Sequence, residues 1–338
     1  MESIYQTFNA LVVREQGETF QRGVEERSID DHLPTGEILI RVLFSSLNYK
    51  DALSATGNRG VTKKYPHTPG IDAAGVIVAS TTDLFRVGEE VICMGYDLGM
   101  NTPGGFGEYI SVPADWVLHK PEQLALYETM QIGTAGFTAA QCVDRLLTFG
   151  LQPAQGPVLV TGATGGVGSF AVALLAKLGF EVVAVTGKEE EHNFLIALGC
   201  TKVLTRKQAT GRSGAAMLRE RWSGVVDTVG GDILASAIKA TRYNGIVTCC
   251  GNAASGDLPI TVYPFILRGV SLVGIDSACC PMSQRKKIWQ QLAGAWRPEM
   301  LDVLTTARIA LDQVSQAVEE MLVGQTKGRL VIDLRGKK

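Results

Sequence analysis

The sequence is poor in what metal centres and nucleic-acid surfaces need. Its 338 residues hold four histidines (His32, His67, His119 and His192), and none lies near a cysteine in sequence. The seven cysteines are Cys93, Cys142, Cys200, Cys249, Cys250, Cys279 and Cys280, and none makes a C-x-x-C pair. No compact zinc motif is therefore written into the chain, and no metal is expected. An odd count with two adjacent pairs is also a poor disulfide framework, because neighbouring cysteines rarely reach disulfide geometry. Free thiols in a reducing cytoplasm are the expectation. Net charge is −2, from 32 Lys and Arg against 34 Asp and Glu. That leaves no broad basic field for nucleic acid or an anionic membrane. No apolar run approaches the roughly 20 residues that span a bilayer. The start, Met1 to Arg14, carries Glu2 and lacks a basic region before an apolar stretch, so it does not read as a signal peptide. There is no internal repeat and no low-complexity segment. Small-molecule partners are expected.

What is present is glycine (38 residues) within a 46% hydrophobic chain, the mark of a globular protein with many tight turns. The length exceeds what one core usually fills, so two domains are expected. Texture changes near residue 125. Before it come short β-rich runs, Glu37–Leu43, Ala74–Ala79, Glu90–Met94 and Glu108–Val112, separated by turn clusters such as Pro69-Gly70 and Pro103-Gly104-Gly105. These predict a barrel-like β domain. After it, apolar strands alternate with helical periods. Strands are predicted at Val158–Thr161, Glu181–Thr186, Lys202–Leu204, Val225–Asp227, Gly245–Cys249 and Ser271–Gly274. Helices are predicted at Ser169–Leu178 and Glu190–Leu198. Such alternation implies βαβ crossovers and a covered parallel sheet. The tail, with a helix at Leu311–Leu322 and a strand at Gly328–Leu334, is expected to return to the first domain.

The strongest local signal is Gly162, Gly165 and Gly168 at every third residue between an apolar strand and an apolar helix. A pyrophosphate needs bare backbone N–H groups and a helix N-terminus aimed at it, and glycine clears the approach. A Gly triplet alone marks many ordinary turns; here the flanking strand, helix and second strand stand where a dinucleotide fold needs them. An NAD site usually ends its second strand in an acid. This strand ends Thr186-Gly187-Lys188, and its one acid, Glu181, is at the other end. A hydroxyl, a bare backbone and a cation suit a 2′-phosphate, with Arg206 as a second cation, so NADPH is the expected cofactor. Lys188 also reads as a plain surface charge, with Glu189-Glu190-Glu191 favouring a helix start.

Several segments together resemble the medium-chain dehydrogenase/reductase superfamily. They are Asn48-Tyr49-Lys50-Asp51, Pro69-Gly70-Ile71-Asp72-Ala-Ala-Gly75, Gly133-Thr134-Ala135-Gly136-Phe137-Thr138-Ala139, the Gly162–Gly168 turn, Pro264 to Ser277 and Lys327-Gly328-Arg329. The likeness is to its zinc-free acrylyl-CoA reductase and quinone oxidoreductase group and covers nearly the whole chain. It implies an α/β fold: a GroES-like catalytic domain at 1–125 and 303–338, and a Rossmann doubly wound parallel sheet at 126–302, with NADPH in the cleft between them. It implies Tyr49, Asp51 and Asn48 as catalytic candidates. The implied cofactor contacts are Tyr49, Thr134, Thr164, Gly165, Gly166, Val167, Gly168, Thr186, Gly187, Lys188, Arg206, Gly251, Asn252, Ile266, Ser277, Lys327 and Arg329. Where zinc-dependent relatives carry an early ligand Cys and a Gly-His-Glu motif, this chain has Asn48 and Pro69-Gly70-Ile71-Asp72, and it lacks their structural cysteine loop.

The implied activity is conjugate reduction of an enoyl thioester such as acrylyl-CoA, with hydride going to the β-carbon. Tyr49 is the candidate donor to the developing enolate oxygen or the group that orients it, or else a ring that merely stacks beside the cofactor. Arg59, Lys63 and Lys64 are candidates for the CoA phosphates, or else a solvated charge run. Met100-Asn-Thr-Pro103 and Gly324 depart from the acrylyl-CoA reductases, so the alternatives stay open. These are an NADPH:quinone oxidoreductase, a zinc-type alcohol dehydrogenase and an NADPH-binding protein without turnover. The apolar run Val270–Ile275 reads as a sheet edge, and pairing with its two-fold mate would make a homodimer.

Overall fold

The computed structural model describes residues 7–32, 36–211 and 214–336. Residues 1–6, the start of the segment inspected for a signal, lie outside the described residues. The chain forms two compact units. The first comprises Met1–Thr134, Ala278–Ala293 and Thr305–Lys338; the second comprises Ala135–Ser277 and Gly294–Leu304. The division at Thr134 falls later than the change in texture near residue 125. The helix Met282–Ala293 belongs with the first unit, a membership that sequence texture does not mark.

The first unit opens with an antiparallel hairpin, β1 (Thr7–Gln16) and β2 (Thr19–Ser28), turning at Gly17. A seven-stranded sheet follows. Its strands are β3 (Ile38–Ser46), β4 (Asp72–Ser80), β5 (Glu90–Met94), β6 (Tyr109–Val112), β7 (Val117–His119), β14 (Thr305–Ala310) and β15 (Arg329–Asp333). The order is β14-β15-β3-β4-β5-β7, with β6 also on β3. The reason is visible in β3: Ile38, Ile40 and Val42 alternate onto one face and are buried, with Arg41 exposed between them. They pack with Leu11, Val13, Ile77, Val91, Phe106 and Ile110 into the core of this unit. The tail joins through β15, antiparallel to β3 at Val331↔Ser46.

The second unit is a six-stranded, all-parallel sheet. Its strands are β8 (Val158–Val160), β9 (Val182–Thr186), β10 (Lys202–Thr205), β11 (Trp222–Asp227), β12 (Thr241–Cys249) and β13 (Ser271–Gly274). They stand in the order β10-β9-β8-β11-β12-β13. Strands covered on both faces carry continuous apolar runs, and every residue of β8, β9 and β11 is buried. The chain winds outward in one direction from β8 and in the other from β11. The switch point between them is where such sheets open a crevice at the strands' carboxyl ends. No helix among the described residues is long and apolar enough to cross a membrane.

The helix Leu126–Thr148 is broken at Gly133, whose φ of 51° and ψ of −162° interrupt the spiral. This backbone conformation is open to glycine and strained for any other residue. A Cβ there would also lie 2.5 Å from an Arg329 nitrogen and 2.6 Å from an Asp72 oxygen. Gly133→Ala is therefore expected to lower the thermal midpoint by several degrees, more than Ala139→Gly, which loses ~1 kcal/mol of helix propensity and one buried methyl. Calorimetry of the two variants checks the difference.

Candidate active site and nucleotide-binding turn

In the first unit the candidate catalytic residues stand on a six-residue helix, Tyr49–Ser54, entered through Asn48 in an extended conformation. Asp51 turns back to accept from the Asn48 backbone N–H at 2.8 Å, which closes the first turn. Its other oxygen accepts from the Ile71 and Gly70 amides at 2.8 and 3.1 Å. Asp51 is wholly buried, whereas the Tyr49 ring is 46% exposed and free to meet a small molecule.

Beside them lies a residue that sequence reasoning quoted but did not rank, Asp72 at the head of β4. Its carboxylate accepts from Ser46 Oγ (2.5 Å), Asn48 Nδ2 (2.8 Å), Thr134 N (2.9 Å) and Thr134 Oγ1 (2.6 Å). Thr134 is the first residue past the broken helix turn, so Asp72 receives the amide that the break leaves without a helical acceptor. Arg329, expected at the cofactor, lies buried in the same network. It donates to Ser46 Oγ at 2.7 Å, Asn48 Oδ1 at 3.1 Å and the Gln131 carbonyl at 3.3 Å, and stands 3.6 Å from Asp72. Lys327 accepts from Thr306 Oγ1 through its carbonyl. The one sequence-level sign of Asp72 is an acid at the mouth of an otherwise apolar strand.

Burial and the neighbouring Asp72 charge push the Asp51 carboxyl up to about 7, against the pull of the Ile71 and Asn48 donors. The folded chain thus holds this proton more tightly than the unfolded chain, where an aspartate titrates near ~3.9. The stability this group contributes is complete at acid pH and is lost as pH rises through about 7. Asp51→Asn has no proton to lose. Its stability relative to the wild type is expected to improve steadily between about pH 4 and pH 7 and to level off above that, read from urea unfolding midpoints, and a constant difference would contradict the shift.

In the second unit the glycines of the turn have distinct duties. Gly162 has a φ of 58°, and a Cβ on it would lie 2.2 Å from Thr228 Oγ1. A Cβ on Gly168 would lie 2.3 Å from the Gly162 carbonyl, so the third glycine lets the helix Gly166–Lys177 close onto the strand. Gly165 caps that helix, presenting the N–H groups of Gly166, Val167 and Gly168 at its start. At the end of β9, Thr164 Oγ1 lies 3.4 Å from Thr186 Oγ1, and Lys188 N donates to Thr186 Oγ1 at 3.0 Å. The Arg206 guanidinium lies over Gly187: a Cβ there would sit 2.7 Å from Nε and 2.8 Å from Cζ. Thr186, Gly187, Lys188 and Arg206 thus meet at one strand end, as a 2′-phosphate requires. Gly251 packs against Thr228, with its virtual Cβ 2.5 Å from the Thr228 carbonyl, and Asn252 follows in an exposed loop. Ile266 is exposed on the helix Tyr263–Arg268, and Ser277 follows β13.

Known proteins share this arrangement. A GroES-like domain of the alcohol dehydrogenases matches residues 34–122, and a zinc-binding dehydrogenase domain matches residues 166–293. The chain is 41% identical over 330 residues to the acrylyl-CoA reductase AcuI of Ruegeria pomeroyi, covering 97% of this chain and 99% of that one. It is 42% identical over 327 residues to YhfP of Bacillus subtilis, which bears a provisional quinone oxidoreductase name, again covering 97% and 99%. Among solved structures, the Salmonella enterica yhdH oxidoreductase in complex with NADP superposes with a TM-score of 0.94 at 38% identity. It covers 97% of this chain and all of that one. Bacillus subtilis yhfP with NAD bound gives the same TM-score at 42% identity and the same coverage. Zinc does not fit the buried acids here: the oxygens of Asp51 and Asp72 are already engaged by hydrogen-bond donors, and the Arg329 cation stands beside Asp72. Among the described residues no cluster of three or more His, Cys, Asp or Glu side chains could hold a metal ion. Matching domains at both ends and near-complete coverage by relatives above 40% identity leave one conclusion: the chain belongs to the medium-chain dehydrogenase/reductase superfamily, in the group that holds YhfP and the AcuI proteins.

Proposed function

We propose that this chain is an NADPH-dependent reductase of an activated C=C bond, acting on an enoyl thioester of the acrylyl-CoA class. The observation that carries the cofactor is the end of β9, where Thr186, Gly187, Lys188 and Arg206 converge with no acid at the strand's end. The acceptor class follows the 41% identity to AcuI. Bound NADPH would supply hydride to the β-carbon. The residues of the chain then have three tasks. The amides opening the helix at Gly166 hold the diphosphate, and Lys188 with Arg206 neutralises the ribose phosphate. The exposed Tyr49 hydroxyl donates a hydrogen bond to the thioester oxygen as negative charge builds there. Asp51, through the Asn48 amide, fixes the helix turn from which Tyr49 projects. Quinone reduction is the second reading, favoured by the YhfP relative. The seven cysteines, an odd count with two adjacent pairs, suit a reducing cytoplasm.

Absorbance of NADPH followed against acrylyl-CoA, crotonyl-CoA and a benzoquinone tests the reading. Acrylyl-CoA is expected to give the highest kcat/KM, with Tyr49→Phe slower by one to two orders of magnitude. Arg206→Ala is expected to raise KM for NADPH about 10- to 100-fold and leave NADH untouched, the loss of one charge-assisted contact. Preference for the quinone establishes the second reading. NADPH that binds without being consumed by any acceptor establishes a binding protein.

The same reading includes a homodimer. Among the described residues β13 ends the sheet with one edge unpaired, and the preceding helix and its N-cap expose Val262, Tyr263, Ile266 and Leu267. An apolar edge of this kind is covered by pairing β13 with its two-fold mate. Sedimentation at micromolar concentration is expected to give twice the 36.2 kDa chain mass, and Leu272→Pro, at a position whose N–H faces the open edge, to return the monomer.

A further inference from the structure

We propose that Asp227 is the positioning residue of the nucleotide turn, holding its shape from across the switch point of the sheet; this rests on the reading that Gly162–Gly168 takes the diphosphate of NADPH. Asp227 ends β11 and is wholly buried. One carboxylate oxygen accepts from Thr161 Oγ1 at 2.7 Å, and Thr161 immediately precedes Gly162. The other accepts from the Gly230 and Val229 amides at 2.8 and 3.2 Å. The link to the turn is doubled. Thr161 Oγ1 receives the Thr228 N–H at 3.1 Å, and Thr228 Oγ1 donates to the Thr161 carbonyl at 3.0 Å. Thr228 is the side chain against which Gly162 is pressed.

The same segment governs a second cofactor candidate. The Cys250 amide donates to the Asp227 carbonyl at 3.0 Å and the Ala254 amide to that of Val229 at 2.9 Å, so the Gly251-Asn252 loop hangs from it. Among the described residues no cation pairs with Asp227; neutral donors alone satisfy it. Burial accordingly raises its carboxyl above the ordinary value, and those donors oppose the rise. An acid is required because donors approach both oxygens, and an Asn would turn an NH2 toward one set. A carboxylate is also the wrong group to touch a diphosphate, so Asp227 acts through Thr161, Thr228 and Gly230.

Thr161→Val removes the linking hydroxyl at constant shape, and Thr161→Ser keeps it. Fluorescence titration of each full-length protein with NADPH, NADH and 2′-AMP reads the outcome, with the thermal midpoint taken without nucleotide. Thr161→Val is expected to weaken NADPH and NADH by the same factor of about ten, since both carry the diphosphate. It should leave 2′-AMP, which lacks it, unchanged, and Thr161→Ser should restore both dinucleotides. Asp227→Asn should reproduce the Thr161→Val pattern. Unchanged dinucleotide affinity in Thr161→Val, or equal weakening of 2′-AMP, overturns the assignment, whatever the midpoint does. A wild-type chain that binds neither dinucleotide overturns the nucleotide reading, and this assignment falls with it.

Discussion

The carboxylate of Asp72 is the point on which the first unit turns. Three stretches distant in sequence donate to it or stand against it: the end of β3 and the helix start that follows it through Ser46 and Asn48, the restarted helix through Thr134, and β15 through Arg329. A buried charge of this kind is tolerable only when its partners are complete, and removing one partner of such a pair typically costs ~3–5 kcal/mol. Much else follows. Residue 133 must be glycine because a Cβ has no room between Asp72 and Arg329. Asp51, second to arrive at the same charge, cannot also be an easy anion, and its carboxyl rises.

The two units solve the same electrostatic problem differently. Asp72 stands beside a guanidinium that is itself fully enclosed, and burial lowers Arg329 while Asp72 and Asp51 pull it back up. Asp227 has a hydroxyl, backbone amides and the Cys249 thiol, all neutral donors. The difference suits their settings. A cation beside Asp227 would compete with the helix start for a diphosphate held there, whereas in the first unit the Arg329 cation ties strands and helix together.

Legibility followed chemistry. The strands of the second unit were readable because sheets buried on both faces demand continuous apolar runs, and β13 stands at Ser271–Gly274 as expected. The glycine turn was readable because its three residues have no side chains to disguise them. The hairpin of β1 and β2 was not, because β2 (Thr19–Ser28) is polar and half exposed and holds its place only by pairing with β1. The helix Leu126–Thr148 carries Gly133 and Gly136 in its middle and breaks at Gly133, so no continuous helical period marks it. The buried acids were the least legible. An Asp is normally a surface residue, and only the convergence of Ser46, Thr134 and Arg329 reveals why Asp72 is inside. Arg329 was placed by resemblance at the cofactor, while the fold sets it in the scaffold around Asn48.

Cofactor choice shows how finely such a scaffold divides its labour. The yhdH structure with NADP and the yhfP structure with NAD each superpose on this chain with a TM-score of 0.94. Backbones so alike cannot discriminate a phosphate by their path, and the proposed function puts the choice in a few side chains at the end of β9. On the proposed function the turn grips what both nucleotides share, with Thr161, Thr228 and Asp227 behind it. The residues that could tell the nucleotides apart, Lys188 and Arg206, sit one strand away, where Arg206 covers a glycine in place of an acid. A single charge-assisted contact there is worth one to two factors of ten, which is the scale of a preference and not of binding itself. The proposed function thus places affinity and selectivity on different strands of one sheet, where each can change without the other.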